Sequence, residues 1–292
     1  FFSTLCLGAN ALVLAGSEQQ KAEHLPRIAS GEATATLALA EAPGAWTADG
    51  VACVARREGG DYLLAGTKTY VPDGHIADVI VVAARSEGSQ GGEGVSLFCL
   101  PSDSSGLSRS QLPTMDRTRR QAELRLDGVR VPATALMGEE GTAWPAIAKT
   151  LDLAMAALAA EQTGGAQRCL DMSVTYAKER KQFGRAIGSF QAIKHSCADM
   201  MLKVESARSA AYYAAWAAAE DTGDLPEAAS LAKAYCSDAY FSCAAEAIQI
   251  HGGVGFSWEY DVHLYFKRAK SSETLLGDAA FHREQVASRI GL

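Results

Sequence analysis

Two hydrophobic periodicities divide the chain. After Thr142 apolar residues recur at helical spacing, at Leu151, Met155 and Leu158 and again at Leu170, which suits one buried stripe. Ala-rich segments of this kind run over residues 143–181, 188–220, 226–250, 261–275 and 279–290, and Pro226, shortly after Gly223, marks a helix start. Long helices joined by short turns predict an antiparallel four-helix bundle over residues 138–292. Between Ala33 and Ala135 the period falls to two. Val51–Ala55, Tyr62–Ala65, Val79–Ala83, Val95–Leu100 and Ala122–Leu126 are strand candidates, separated by Gly, Pro, Asp and Ser clusters. Strands so closely spaced, with no helix between them, predict an antiparallel β-barrel or sandwich over residues 33–137.

Residues 2–32 read as helical. Leu5, Leu7, Ala11, Leu12 and Leu14 carry the apolar pattern, Gly16 breaks it, and Ser17 with Gln20 forms a capping box for a second helix that Pro26 interrupts. This pair is expected to be the remnant of an N-terminal helical domain over residues 1–32, truncated at its start. The expected fold class is therefore α+β. The segment Ser86–Gly94, rich in Gly and Ser, is the most linker-like stretch and is expected to be a mobile hairpin loop without chemistry.

Composition removes several function classes. A net charge of −7 argues against a nucleic-acid partner, which calls for a basic face. No apolar run approaches the roughly 20 residues that span a bilayer. Seven Cys without a C-x-x-C pair suggest reduced thiols of a cytoplasmic protein, and six His without H-E-x-x-H or similar grouping give no metal site.

Two stretches carry candidate chemistry. In Tyr176–Gln191 a turn falls at Phe183-Gly184, where Gly184 can take positive φ and stop a helix, with Arg180 and Lys181 complementing the helix dipole. Arg180 offers a forked donor for phosphate or carboxylate, Phe183 a flat apolar surface and Gln191 a two-way amide. A solvated helix corner with a core Phe accounts for the same residues. In Gln249–Tyr260, the glycines Gly252, Gly253 and Gly255 exceed what a helix cap needs and leave backbone N–H groups open to a ligand. Tyr212, Tyr213 and Trp216 are read as packing residues.

Together, and at their spacing, the two stretches resemble the acyl-CoA dehydrogenase family. That family carries a Tyr…Arg…Gln-Phe-Gly…Phe-Gln turn and a Gln…Gly-Gly-x-Gly-Phe segment in its C-terminal helical domain. Gly59–Lys68 is similar to the family's middle-domain hairpin and Leu126–Pro132 to its last strand. The family's first helices have no counterpart, so about a quarter of a full-length member is expected to be lacking.

The resemblance implies FAD-dependent α,β-dehydrogenation of an acyl-CoA thioester, with an electron-transfer flavoprotein or similar acceptor as redox partner. By similarity, Arg180 pairs with the FAD pyrophosphate, Phe183 packs on the cofactor, and Gln191, Gln249, Gly252 and Gly253 add contacts, all reaching across a dimer interface. The parts that hold the flavin ring within a subunit are altered. Ala40 stands for the family's Thr, bulky Trp46 for a small Ser, and Pro72 for a hydroxyl residue near the flavin N5. Leu276 occupies the position of the usual Glu base, and Ala154, followed by Met155, the alternative position.

Two carboxylates remain as weak candidates for a base. Glu161 lies seven residues, about 10 Å, along the helix from Ala154, and Asp278 follows Leu276 by two. Three readings follow. The chain is a cofactor-sharing subunit, resembling the degenerate chains of actinobacterial heterotetrameric enzymes that act on steroid side-chain thioesters; or a self-sufficient enzyme, homo-oligomeric, with a relocated base; or a flavin-free structural or interaction protein.

Overall fold

The computed structural model describes residues 1–292. It forms two compact units, Phe1–Ala154 and Met155–Leu292.

The first unit opens with a π-helical segment, Phe2–Ala9, that runs into α1 (Asn10–Ala15). Gly16 ends α1, and α2 (Glu18–Ala29) begins with the expected capping box: Ser17 Oγ accepts from Gln20 N–H, and Gln20 Oε1 accepts from Ser17 N–H at 2.8 Å. The Gln20 amide also donates to the Thr134 and Leu136 carbonyls. Pro26 does not interrupt this helix, contrary to expectation. The ring removes one backbone donor, but the box fixes the first turn and Ile28 anchors the last in the core.

Eight strands form one sheet: β1 (Ala35–Ala38), β2 (Val54–Glu58), β3 (Asp61–Pro72), β4 (Val79–Ser86), β5 (Val95–Pro101), β6 (Leu107–Gln111), β7 (Gln121–Pro132) and β8 (Leu136–Met137). Their order is β6-β7-β3-β2-β4-β5-β8, with β1 on β4. Most pairs are antiparallel as expected, but β1 and β2 both run parallel to β4, so the sheet is mixed. β4 is buried along nearly its whole length, which explains its unbroken apolar run. Its core partners include Tyr62, Leu64, Phe98, Leu100 and Leu124. β2 starts later than the pattern indicates because the N–H groups of Ala52 and Cys53 bind the Glu41 carboxylate instead of a neighbouring strand.

The Ser86–Gly94 segment is a β4–β5 hairpin, as expected, but it is tied down. Buried Arg85 donates to the carbonyls of Val51, Ala48 and Gly91 and to Ser89 Oγ. Gly91 N–H donates to Asp49, and Gly94 N–H to the Gly141 carbonyl.

The helices are α3 (Trp144–Glu179), α4 (Gln191–Ala219), α5 (Leu225–His251), α6 (Val262–Thr274) and α7 (Ala279–Arg289), with Pro226 in the first turn of α5. In the second unit α5 is central, packed against α4, α6 and α7. Its Ala-rich surface and Gly165 of α3 allow close approach: a Cβ at Gly165 would lie 2.4 Å from the Tyr240 ring. α4 buries Met200, Val204, Ala207, Ala211, Ala214 and Ala217. Small residues thus hold the inward stripe, and Tyr212, Tyr213 and Trp216 stand on the outer face rather than packing, with Tyr212 70% exposed. No helix is long and apolar enough to cross a membrane. All seven cysteines are free, six of them buried.

Candidate functional site

α3 stops at Glu179, and the turn that follows is a small hairpin. Lys181–Gln182 (β9) pairs with Arg185–Ala186 (β10), with Phe183 at φ 53° and Gly184 at φ 77° between them. Two successive positive-φ residues are the signature of a two-residue hairpin turn. Gly184 therefore closes a hairpin and does not cap a helix, and Arg180 and Lys181 lie beyond the last helical turn rather than in it. The Arg180 peptide is fixed, its N–H donating to Tyr176 and its carbonyl accepting from Ile187, both at 2.8 Å. Its side chain is exposed and makes no bond within the chain. Phe183 is not a core residue: it is 92% exposed, edge-on to Phe190 at 6.2 Å. Gln191 opens α4 with an exposed side chain.

At the end of α5, exposed Gln249 precedes Gly252, which takes φ 63° at the cap. A Cβ at Gly252 or Gly253 would meet nothing within 4 Å, whereas one at Gly255 would lie 2.9 Å from the Ile248 carbonyl. The first two glycines thus leave bare backbone open to a ligand, and the third serves packing. An unpaired guanidinium, bare glycine backbone, free amides and an exposed ring are polar groups and apolar surface that suit a dinucleotide diphosphate, so these residues fit FAD.

In the first unit, the loop carrying Ala40 and Trp46 hangs on a buried ion pair that the sequence reading missed. Lys68 Nζ donates to Glu41 Oε1 at 2.7 Å and to the Leu39 carbonyl at 3.0 Å. The same Glu41 oxygen accepts from Ala52 and Cys53 N–H at 2.9 and 2.8 Å. Period two supplied a signal, since Lys68 shares the face of β3 that buries Tyr62 and Leu64. Beside it, the Ala40 carbonyl accepts from Thr69 N–H, and the carbonyl of buried Pro72 accepts from Thr36 Oγ1 at 2.6 Å. Tyr70 and Asp73, flanking Val71-Pro72, both hold positive φ, at 56° and 53°.

The two expected base positions are hydrocarbon: Leu276 and Ala154 are both buried. Neither substitute carboxylate is free. Glu161 is paired with Arg268 at 3.0 Å, and Asp278 caps α7, accepting from Phe281 N–H at 2.8 Å. Leu276 nevertheless keeps a left-handed backbone, φ 65°, fixed from behind by two buried basic side chains. His282 Nε2 donates to the Leu276 carbonyl at 2.9 Å. Lys233 Nζ donates to the Gly277 and Glu273 carbonyls at 2.9 and 3.0 Å. Burial pushes Lys233 down to about 8, and burial together with the nearby Lys233 charge pushes His282 down to about 4.

The His282 shift has a definite consequence. Between its unfolded value of 6.5 and its folded value of about 4, the unfolded chain binds the extra proton, so stability rises with pH across that window and falls on acidification. His282→Gln, which can still donate to the Leu276 carbonyl, is expected to flatten this dependence, removing up to about 3 kcal/mol of the loss between pH 6.5 and 4. Urea unfolding midpoints at pH 4.5 and 7 check it, and an unchanged difference between the two would refute the assignment.

Residues 36–129 match the family model for the acyl-CoA dehydrogenase middle domain, and residues 141–291 the one for the acyl-CoA dehydrogenase C-terminal domain. A probable acyl-CoA dehydrogenase of Bacillus subtilis, YngJ, is 36% identical over 293 residues, covering 99% of this chain and 77% of that protein. Among solved structures, butyryl-CoA dehydrogenase from Megasphaera elsdenii superposes with a TM-score of 0.94 at 31% identity, over 99% of this chain and 76% of that one. A glutaryl-CoA dehydrogenase from Mycobacterium smegmatis, solved in complex with FADH2, gives 0.90 at 28% identity, over 98% and 73% of the two chains.

Proposed function

The chain belongs to the acyl-CoA dehydrogenase family of FAD-dependent oxidoreductases, and from that premise we propose that it is a cofactor-sharing, non-catalytic subunit of an acyl-CoA dehydrogenase. A second family member would supply the proton acceptor. The observation that carries this reading is the state of the four base positions: Leu276 and Ala154 are buried hydrocarbon, Glu161 is held by Arg268, and Asp278 caps a helix. Removing the weakly acidic proton next to a thioester needs a free carboxylate within hydrogen-bond reach, and these positions offer none.

FAD, when bound, would supply the hydride acceptor. This chain's share is to hold the cofactor. The Arg180 guanidinium would make charge-assisted hydrogen bonds to its diphosphate, the open backbone at Gly252 and Gly253 would approach it, Phe183 would cover an apolar face, and Gln191 and Gln249 would add amide contacts. The acyl-CoA thioester would be processed on the partner's side, and an electron-transfer flavoprotein or similar acceptor would take the electrons onward. A relocated base is opposed by the engagement of Glu161 and Asp278. A flavin-free role is opposed by the exposed, unpaired Arg180 and the bare backbone at Gly252 and Gly253.

Visible absorbance tests the reading. The purified chain is expected to carry little flavin alone and to share flavin when assembled with a partner subunit; full flavin occupancy of the isolated chain would overturn it. In the assembly, Arg180→Ala is expected to weaken FAD retention by about 1.5–3 kcal/mol, a roughly tenfold to hundredfold loss. Undiminished flavin content in that variant would remove Arg180 from the site.

A further inference from the structure

Tyr176 near the end of α3, His251 at the end of α5 and Tyr260 ahead of α6 meet in a three-ring cluster. Tyr176 stacks on His251, centroids 4.3 Å apart and planes at 22°, and Tyr260 stands edge-on to the two at 5.8 and 5.6 Å. The cluster borders a cavity of about 330 Å³ whose lining also includes Glu179, Glu259, Asp261 and Arg168. Three other carboxylates of this unit are matched by cations, Glu161 by Arg268, Asp238 by Arg283 and Glu273 by Lys270. The carboxylates of Glu179, Glu259 and Asp261 have no hydrogen-bond or ion-pair partner within the chain. Three carboxylates against one Arg leave the lining negative.

A second observation comes from His251, which is 5% exposed. Its Nδ1 lies 2.7 Å from the Ala247 carbonyl. A carbonyl only accepts, so Nδ1 carries the proton and Nε2 is left as the acceptor of the neutral ring, without a partner in the chain. Burial holds this imidazole below the usual histidine range, so the ring is neutral at pH 7. The cavity therefore offers aromatic surface, three carboxylates and a ring-nitrogen lone pair, a set that recognises a planar cation rich in N–H donors.

We propose that this cavity binds a guanidinium group, its plane against the Tyr260 ring and its N–H groups donated to Glu259, Asp261 and His251 Nε2. The group could belong to a small free cation or to an arginine side chain of a second polypeptide, and the two sources are separable by experiment.

The test titrates the full chain with ethylguanidinium, followed by amide chemical shifts of residues 257–262, with neutral ethylurea as the isosteric control. Saturable shifts with ethylguanidinium and none with ethylurea are expected. Glu259→Gln combined with Asp261→Asn, and separately Tyr260→Leu, are expected to weaken binding at least tenfold; all three residues are exposed, and thermal unfolding checks that the fold is kept. An equal response to ethylurea, or undiminished binding in both variants, would overturn the proposal. Light scattering on the same samples separates the sources: a fall in assembly mass at saturation assigns the group to a second polypeptide, and a constant mass assigns it to a free cation.

Discussion

Loaded with FAD and mixed with a range of acyl-CoA thioesters, the isolated chain is expected to show no bleaching of the flavin and no turnover. Combined with its partner subunit it is expected to give an active enzyme whose rate is unaffected by Glu161→Gln or Asp278→Asn. Each of these carboxylates is already engaged. Glu161 is in a partly buried ion pair with Arg268, and serving as a base would require breaking that pair. Asp278 uses its side-chain oxygen to satisfy the first turn of α7. Asn caps a helix about as well as Asp, so Asp278→Asn keeps this bond, stays folded and can be assayed. A positioned general base contributes about 10²–10⁴ in rate, so a true base among the two would reveal itself plainly on substitution. Turnover by the isolated wild-type chain, lost in one of the variants, would refute the division of labour and identify the relocated base.

The helices were legible because nothing competes with their pattern. Ala-rich stripes, Pro226 at a helix start and the Ser17–Gln20 box each have one local solution, and the structure adopts it. Where a residue's role depends on distant partners, local reading failed. Pro26 reads as a breaker, yet α2 runs through it because both ends are anchored elsewhere. Gly184 reads as a helix stop, but its neighbour Phe183 also takes positive φ, and that pair of conformations makes a hairpin. The loop after β4 reads as a flexible linker, although Arg85, buried beneath it, gathers four acceptors from two loops. At the candidate site, the exposed contact residues Arg180, Gly252 and Gly253 were visible as a motif. The engagement of Glu161 was not, because Arg268 lies more than a hundred positions away.

The Lys68–Glu41 pair carries the largest expected effect on stability. Lys68 is fully buried, and its ammonium donates to Glu41 and to the Leu39 carbonyl. Replacing Glu41 by Ala strands that ammonium in the core and frees the N–H groups of Ala52 and Cys53 together. Breaking one partner of a buried pair costs about 3–5 kcal/mol, far more than the loss of an exposed pair such as Arg130 with Asp61. Replacing both partners, Lys68→Met with Glu41→Gln, removes the stranded charge and keeps an acceptor for the two amides, so the double variant is expected to regain part of the loss. The shared loop also bears Ala40 and Trp46, and its loosening is expected to register locally as well as globally. Hydrogen exchange at the Ala52 and Cys53 amides should accelerate sharply in Glu41→Ala and recover in the double variant. If the single substitution costs less than about 1 kcal/mol, or exchange at those two amides does not change, the pair does not hold the loop and the ordering of residues 39–53 must come from packing alone.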